Sequence, residues 1–394
     1  MWHRALVDLL DRAKHSRPDE LAWQVNNALG PLGVEATIYL IDHEQRALHA
    51  LPEQGKPTPE PIEVEGTMAG RAFMTVASIR APDRPRYWIA MIDGSERLGV
   101  AVIDCTKEIS DEADFVRHCE VFIGLVGHLL ATKTPYGDIL HQVRRTRRMS
   151  PAGELLLSML PPLTFSCSQL VVSAILEPAY DVGGDAFDYA LDGSIARFFV
   201  LDAMGRGLSA ALTSATALAA IRSSRRERED IDAMTRAAHA AIKSQFSDLR
   251  FATGILSELD TDTGVLRYIN AGHPPAMLLR GGKVIKELTG GGRTPLGLFD
   301  NDGAAEGVEL IEPGDRLLLY TDGVVEARGA DGQIFGLDRL IQLVERHVHG
   351  TLPAPEALRR LSHGVIAHQQ GPPADDATLL LVEWSTAAAE RMTP

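Results

Sequence analysis

The sequence predicts an α+β protein: a C-terminal two-layer β-sandwich flanked by helices, preceded by a smaller α/β domain and a helical connector. Three observations predict it. Past Ser168, short β-branched and aromatic runs recur with tight polar turns between them. Helical apolar spacings interrupt these runs in pairs. The first third mixes the same two periodicities in a shorter block. Many antiparallel strands with paired helices suggest two sheets with helices packed outside them.

In chain order, Leu6, Leu9, Leu10 and Ala13, then Leu21, Val25 and Leu29, have helical spacing and predict a helix over 5–29. Residues 36–41 read as a strand, and 52–61, punctuated by Pro57 and Pro59, as a loop. Strands are expected over 87–92 and 98–103, joined by an Asp93-Gly94 turn. A helix follows over 111–131, with Ser110 as its N-cap. The connector spans 133–162. It carries a basic helix over 136–149, which includes Arg144, Arg145, Arg147 and Arg148. A second helix starts at Ser150-Pro151, an N-cap with proline at the first helical position. Leu155, Leu156, Met159 and Leu160 give it an apolar stripe, which either a partner protomer or the following domain must bury. A homodimer through this helix is one of the two outcomes. From 168 onward, strands are expected over 170–176, 195–201, 253–259, 265–269, 276–279, 284–288, 316–320 and 378–382. Helices are expected over 208–223, 231–246, 337–347 and 355–369.

Composition narrows the function. Of the 394 residues, 39 are Lys or Arg and 53 Asp or Glu, a net charge of −14 that argues against a nucleic-acid partner. The three cysteines, Cys105, Cys119 and Cys167, form no Cys-x-x-Cys pair, and their odd number argues against a disulfide framework. The N-terminal stretch has charges throughout and no apolar core of a signal peptide. The apolar stretch 195–221 is broken by Arg197, Asp202 and Arg206. The expectation is a cytoplasmic protein without a membrane span.

The chemistry lies in four aspartates beside strands or their turns. Asp185 follows Gly183-Gly184, Asp202 ends the run Phe198–Leu201, Asp322 ends Leu317–Thr321, and Asp375 precedes Asp376-Ala377-Thr378. Carboxylates converging at the rim of a core repel one another unless cations neutralise them. Hard divalent ions, Mg²⁺ or Mn²⁺, take such oxygen ligands. Two of them can activate a water and clamp a phosphoryl group. The spacing of zinc ligands is missing, with no His-x-x-x-His in the chain. The Asp-Gly pairs at 93, 192, 302 and 331 read as turns.

At this point the residues resemble a family. Asp181-Val182-Gly183-Gly184-Asp185-Ala186-Phe187-Asp188, Asp202-Ala203-Met204-Gly205-Arg206-Gly207, Phe251-Ala252-Thr253, Asn270-Ala271-Gly272-His273-Pro274-Pro275, Pro295-Leu296-Gly297-Leu298, Tyr320-Thr321-Asp322-Gly323 and Asp375-Asp376-Ala377-Thr378 follow one another in order. They resemble the signature blocks of stage II sporulation E-type phosphatases, within the metal-dependent, protein phosphatase 2C-like family. The resemblance implies a catalytic domain over 163–386 with two Mn²⁺ or Mg²⁺ ions, and a metal-bound water attacking phosphoserine or phosphothreonine. It makes Asp185, Asp202, Asp322 and Asp375 the catalytic metal ligands, together with the carbonyl of Ala203. It also implies a regulatory phosphoprotein substrate, of the anti-sigma-factor antagonist type. Asp188 and Asp376 adjoin the ligands and are read chiefly as hydrogen bonding in a turn, with a role as ligand or as partner of a ligand the lesser alternative; His273 is read as fixing a loop, with general acid the lesser alternative. Many relatives have His where this chain has Arg206, which either binds the substrate phosphate instead or stands as a solvated surface arginine. The phosphate-binding arginine of eukaryotic relatives has no matched counterpart. The front block, 1–132, is similar to GAF-type sensor domains through Gly66–Phe73, Trp88-Ile89 and Arg97–Val100. Tyr87 and Trp88 are candidates for lining a pocket there, though core positions suit them better. Two other readings stay open: a scaffold with a degenerate phosphatase fold, whose front domain is the working part, and a phosphatase of small molecules.

Overall fold

The computed structural model describes residues 1–110, 114–177, 180–181, 183–299, 305–347, 352–369 and 375–392. The chain divides into two units, one built on Met1–Arg147 and the other on Arg148–Glu390. The stretch read as a connector is therefore shared between them.

The first unit runs α1 (Trp2–His15), α2 (Leu21–Leu29), β1 (Val34–Ile41), β2 (Ala47–Ala50), β3 (Ile62–Glu63), α3 (Met68–Thr75), β4 (Ser78–Arg80), β5 (Arg86–Asp93), β6 (Glu96–Cys105), α4 (Lys107–Ser110), α5 (Phe115–Lys133) and α6 (Ile139–Val143). Its six strands form one antiparallel sheet in the order β3-β2-β1-β6-β5-β4. Strand residues alternate between two faces. One face packs Ile38, Leu40, Ile89 and Ala101 against α1, α2 and α5. The other packs Tyr39, Val100 and Val102 against Ala69, Ala72 and Phe73 of α3.

Three local expectations differ from the structure. The helix expected over 5–29 is two helices, because Pro18 lacks an N–H and disfavours a helical residue before it, so the chain makes a 3₁₀ turn at Pro18–Glu20. Ser110 does not cap α5. It ends α4 and its hydroxyl lies 3.0 Å from that of Tyr87, while α5 opens at Phe115 and 111–113 lie outside the described residues. The basic helix expected over 136–149 shrinks to α6. Gly137 is extended, the four arginines repel, and Arg144 Nε instead donates to the carbonyl of Ile41 at 3.0 Å. The stretch Phe115–Tyr136 is long and apolar enough to cross a membrane, yet it places Phe115, Cys119, Phe122, Ile123, Val126 and Leu130 in the core of this unit.

The second unit runs α7 (Pro151–Met159), β7 (Thr164–Ser166), β8 (Leu170–Glu177), β9 (Asp185–Asp192), β10 (Ile195–Ala203), α8 (Gly207–Arg226), α9 (Ile231–Gln245), β11 (Ala252–Asp260), β12 (Val265–Ala271), β13 (Met277–Arg280), β14 (Lys283–Glu287), β15 (Gly292–Arg293), β16 (Gly307–Leu310), β17 (Arg316–Tyr320), α10 (Asp322–Val325), α11 (Leu337–His347), α12 (Ala354–Gln369), β18 (Ala377–Trp384) and α13 (Thr386–Glu390). One sheet has the order β15-β12-β11-β10-β9, with β16 also on β12; the other is β14-β13-β17-β18-β8-β7. Phe187, Phe198, Val200 and Ile255 of the first sheet interlock with Val172, Leu317, Leu319 and Leu380 of the second. The outer face of the first sheet carries α7, α8 and α9. The second sheet carries α12 against β8 and β18. Helices, two sheets and helices stack in four layers, the expected sandwich.

The stripe of α7 is buried within its own unit. Ser150 caps the helix, its hydroxyl accepting the Gly153 N–H at 3.0 Å. Ala152 and Leu156 join the α8–α9 core, with Leu155, Met159 and Leu160 against it. No second protomer is needed to cover it. Leu156→Ala should therefore cost about 2–5 kcal/mol of stability. Urea unfolding at two protein concentrations checks this; the loss should be independent of concentration.

Candidate metal centre at the sheet edge

Strand β9 begins at Asp185 and β10 runs antiparallel to it, so Asp185 and Asp202 face each other as direct cross-strand partners. The opposite sheet contributes the others. Asp322 follows the end of β17 and opens α10, and Asp375 and Asp376 precede β18. All lie at one edge of the sandwich, where both sheets end.

Side-chain bonds tie this edge together. Asp376 Oδ2 accepts the N–H groups of Gly183 and Gly184, each at 2.7 Å, and of Asp185 at 3.3 Å. Thr321 and Thr378 both donate their hydroxyls to Asp185 Oδ2, each at 2.7 Å. Ser214 of α8 donates to the Gly184 carbonyl. A Cβ on Gly184 would stand 2.6 Å from the Ala203 carbonyl oxygen and 3.4 Å from Asp202 Oδ1, so only glycine lets the loop approach the end of β10. A Cβ on Gly323 would stand 1.8 Å from the Asp376 carbonyl oxygen. Gly205 and Gly207, at φ +97° and +65°, turn the chain from β10 into α8 with Arg206 between them.

The edge is electrostatically strained. Burial, then the charges of Asp202 and Asp376, raise the Asp185 carboxyl well above its ordinary range, against the two threonine hydroxyls. Burial, then Asp322, Asp375 and Asp376, push Asp202 up to about 7. Burial, then Glu326 and Asp375, raise Asp322. The structure thus brings all four predicted aspartates into one mutually repelling field. Among the described residues, no three His, Cys, Asp or Glu side chains already form a cage able to hold an ion. The donor set still fits hard divalent cations: it is all oxygen, and burial, then mutual repulsion that such cations would relieve, raises the pKa of Asp185, Asp202 and Asp322.

Other candidates fall elsewhere. Asp188 is buried and ion-paired with Arg222 at 2.8 Å and Arg225 at 2.9 Å, so it braces α8 instead of a metal. His273 is held by its backbone to Asn270 and by Nδ1 to Thr253 at 2.9 Å; burial pushes its pKa down to about 4. It is neutral at physiological pH and fixes the loop. Arg206 is exposed, and among the described residues its side chain has no partner; its backbone abuts Gly183. The Asp376 carboxylate accepts hydrogen bonds from the backbone of the opposite loop instead of bonding within its own turn, and the roles of Thr321 and Thr378 were not read from the sequence. Their only signal is position: Thr321 precedes Asp322, and Thr378 follows Asp376 by two residues. In the first unit, Tyr87 belongs to the α5-side core, while Trp88 lines a cavity of about 450 Å³ with Thr37, Tyr39, Met68 and the Arg86–Asp104 ion pair.

With this fold and this edge, the second unit has the protein phosphatase 2C-like architecture. Residues 192–385 match the family described as Stage II sporulation protein E (SpoIIE); the match opens after Asp185 and includes Asp202, Arg206, Asp322 and Asp375. The unit is accordingly a SpoIIE-type phosphatase domain. The chain is 32% identical over 133 residues to Protein IcfG of Synechocystis sp., covering 34% of this chain and 20% of that protein. It is 25% identical over 226 residues to Phosphoserine phosphatase RsbP of Bacillus subtilis, covering 55% and 52%. It therefore spans about half or less of the length of these two relatives. The solved SiaA-PP2C domain of Pseudomonas aeruginosa overlays 54% of this chain and 85% of its own length at 24% identity, with a TM-score of 0.48.

The raised pKa of Asp202 gives its effect on stability a definite sign. Its folded pKa lies above the unfolded one, so its contribution to stability falls as pH rises from the ordinary carboxylate range through about 7. Without divalent ions, Tm should fall over this window, and Asp202→Asn should flatten the fall. Added Mn²⁺ should raise Tm more at pH 7.5 than at pH 5.5, as read by calorimetric melting.

Proposed function

We propose that this protein hydrolyses phosphoserine or phosphothreonine on a regulatory phosphoprotein, of the anti-sigma-factor antagonist type, with two Mn²⁺ or Mg²⁺ ions. The observation that supports this most is the meeting of Asp185, Asp202, Asp322 and Asp375 at one edge. The similarity to RsbP, named a phosphoserine phosphatase, supports the substrate class.

In this reading Asp185, Asp202, Asp322 and Asp375, with the Ala203 carbonyl, hold the cations. Bound there, such ions neutralise phosphoryl charge and make a water more acidic. The chain's own groups do the rest. Asp376 fixes the Gly183-Gly184 loop, where the missing Cβ of Gly184 leaves room beside the Ala203 carbonyl. Arg206 has five donors and a permanent charge, which suit it to hold phosphoryl oxygens and orient the ester. His273, neutral and bonded to Thr253, takes no part in proton transfer. The first unit, read as a GAF-like sensor, regulates the domain through the segment leading to α7.

The test is hydrolysis of p-nitrophenyl phosphate and of a phosphoserine peptide with Mn²⁺. Chelator, or Asp322→Ala, should lower the rate by about 100-fold or more. Arg206→Ala should raise KM about tenfold, the worth of one charge-assisted bond of about 1.4 kcal/mol. A rate indifferent to chelator would favour the scaffold reading. Faster turnover of small phosphates than of the peptide would favour a small-molecule substrate. A chain lacking 1–147 that keeps the same rate and concentration dependence would remove the regulatory role of the first unit.

A further inference from the structure

Asp185 is 1% exposed, and the bonds to its two oxygens differ. Oδ2 accepts the hydroxyls of Thr321 and Thr378 at 2.7 Å each. Oδ1 receives no hydrogen bond among the described residues. The direction of one of these hydroxyls follows from its other bond. The backbone N–H of Thr378 donates to Thr321 Oγ1 at 2.9 Å, so a lone pair of that hydroxyl is taken and its single proton points to Asp185. The Thr321 N–H in turn donates to the Thr378 carbonyl at 3.1 Å. The two threonines thus clasp each other through backbone and side chain across the ends of β17 and β18, and together present two donors to one oxygen from the opposite sheet.

Resting on the functional reading above, we infer that Thr321 and Thr378 are positioning residues of the metal centre. They saturate Asp185 Oδ2 and fix the plane of the carboxylate, which leaves Oδ1 as the oxygen offered to a cation. A carboxylate free to rotate would lose part of its binding to ordering that side chain. Neither threonine need touch the metal or the substrate.

The experiment is Mn²⁺ titration of the full chain by calorimetry, with Tm measured alongside. Thr321→Val and Thr378→Val keep the shape and remove the donor; Thr321→Ser and Thr378→Ser keep the donor. Each valine variant should bind Mn²⁺ about 10–100-fold more weakly, while each serine variant stays within about threefold of wild type. Folded valine variants that bind as wild type does, or serine variants that lose as much as valine, would overturn the inference. A valine variant that fails to fold leaves the serine comparison decisive: retained affinity supports the donor role, lost affinity removes it. Wild type that binds no Mn²⁺ would instead overturn the functional reading itself, along with the inference built on it.

Discussion

The second unit depends on a single conflict: carboxylates that repel one another are held together by neutral donors from two sheets. Asp185 is the centre of it. Its charge is opposed by Asp202 directly across the strand pair and by Asp376 behind the loop, and it is retained by two threonine hydroxyls. A buried carboxylate survives only when such bonds offset the loss of water. The bonds come from β17 and β18, so the edge exists only when both sheets are in place.

The glycines and Asp376 belong to the same constraint. Three backbone N–H groups converge on one Asp376 oxygen, and this draws the Gly183-Gly184 loop against the end of β10. The approach is close enough that a methyl group on Gly184 or Gly323 would collide with a carbonyl oxygen. Asp188 serves another purpose. Paired with two arginines of α8, it anchors the helix that begins at the site, and Arg222 also donates to the Met159 carbonyl at the end of α7 at 2.7 Å. The helical layer and the acidic edge therefore share one strand, β9, between them.

Much of the fold was legible because apolar periodicity is local. The strands over 170–176 and 195–201 and the helix over 337–347 sit where their patterns place them. Strand β9 escaped notice because Asp185 and Asp188 break its apolar pattern, and both are buried for reasons of partnership. The split of the first helix was signalled by Pro18, and the short α6 by Gly137 and the arginine run. Tyr87 and Trp88 are adjacent in sequence and lie on opposite faces of one strand, as a period of two requires.

What the sequence determined by itself was the inventory: four aspartates at strand ends, glycines beside them, and an acidic chain whose histidines and cysteines lack the spacing of zinc ligands. The blocks also determined the family, because their order survives without any geometry. Which aspartate stands at the acidic edge and which braces a helix was decided by the tertiary structure alone. Asp185 and Asp188 are three residues apart on one strand, as are a candidate ligand and an ion-paired anchor; Asp375 and Asp376 are neighbours, one exposed and one bonded to the opposite loop. The physical reason is that a carboxylate takes its role from the donors and charges around it. Here those donors lie more than a hundred residues away along the chain, at Thr321 and Thr378 for Asp185.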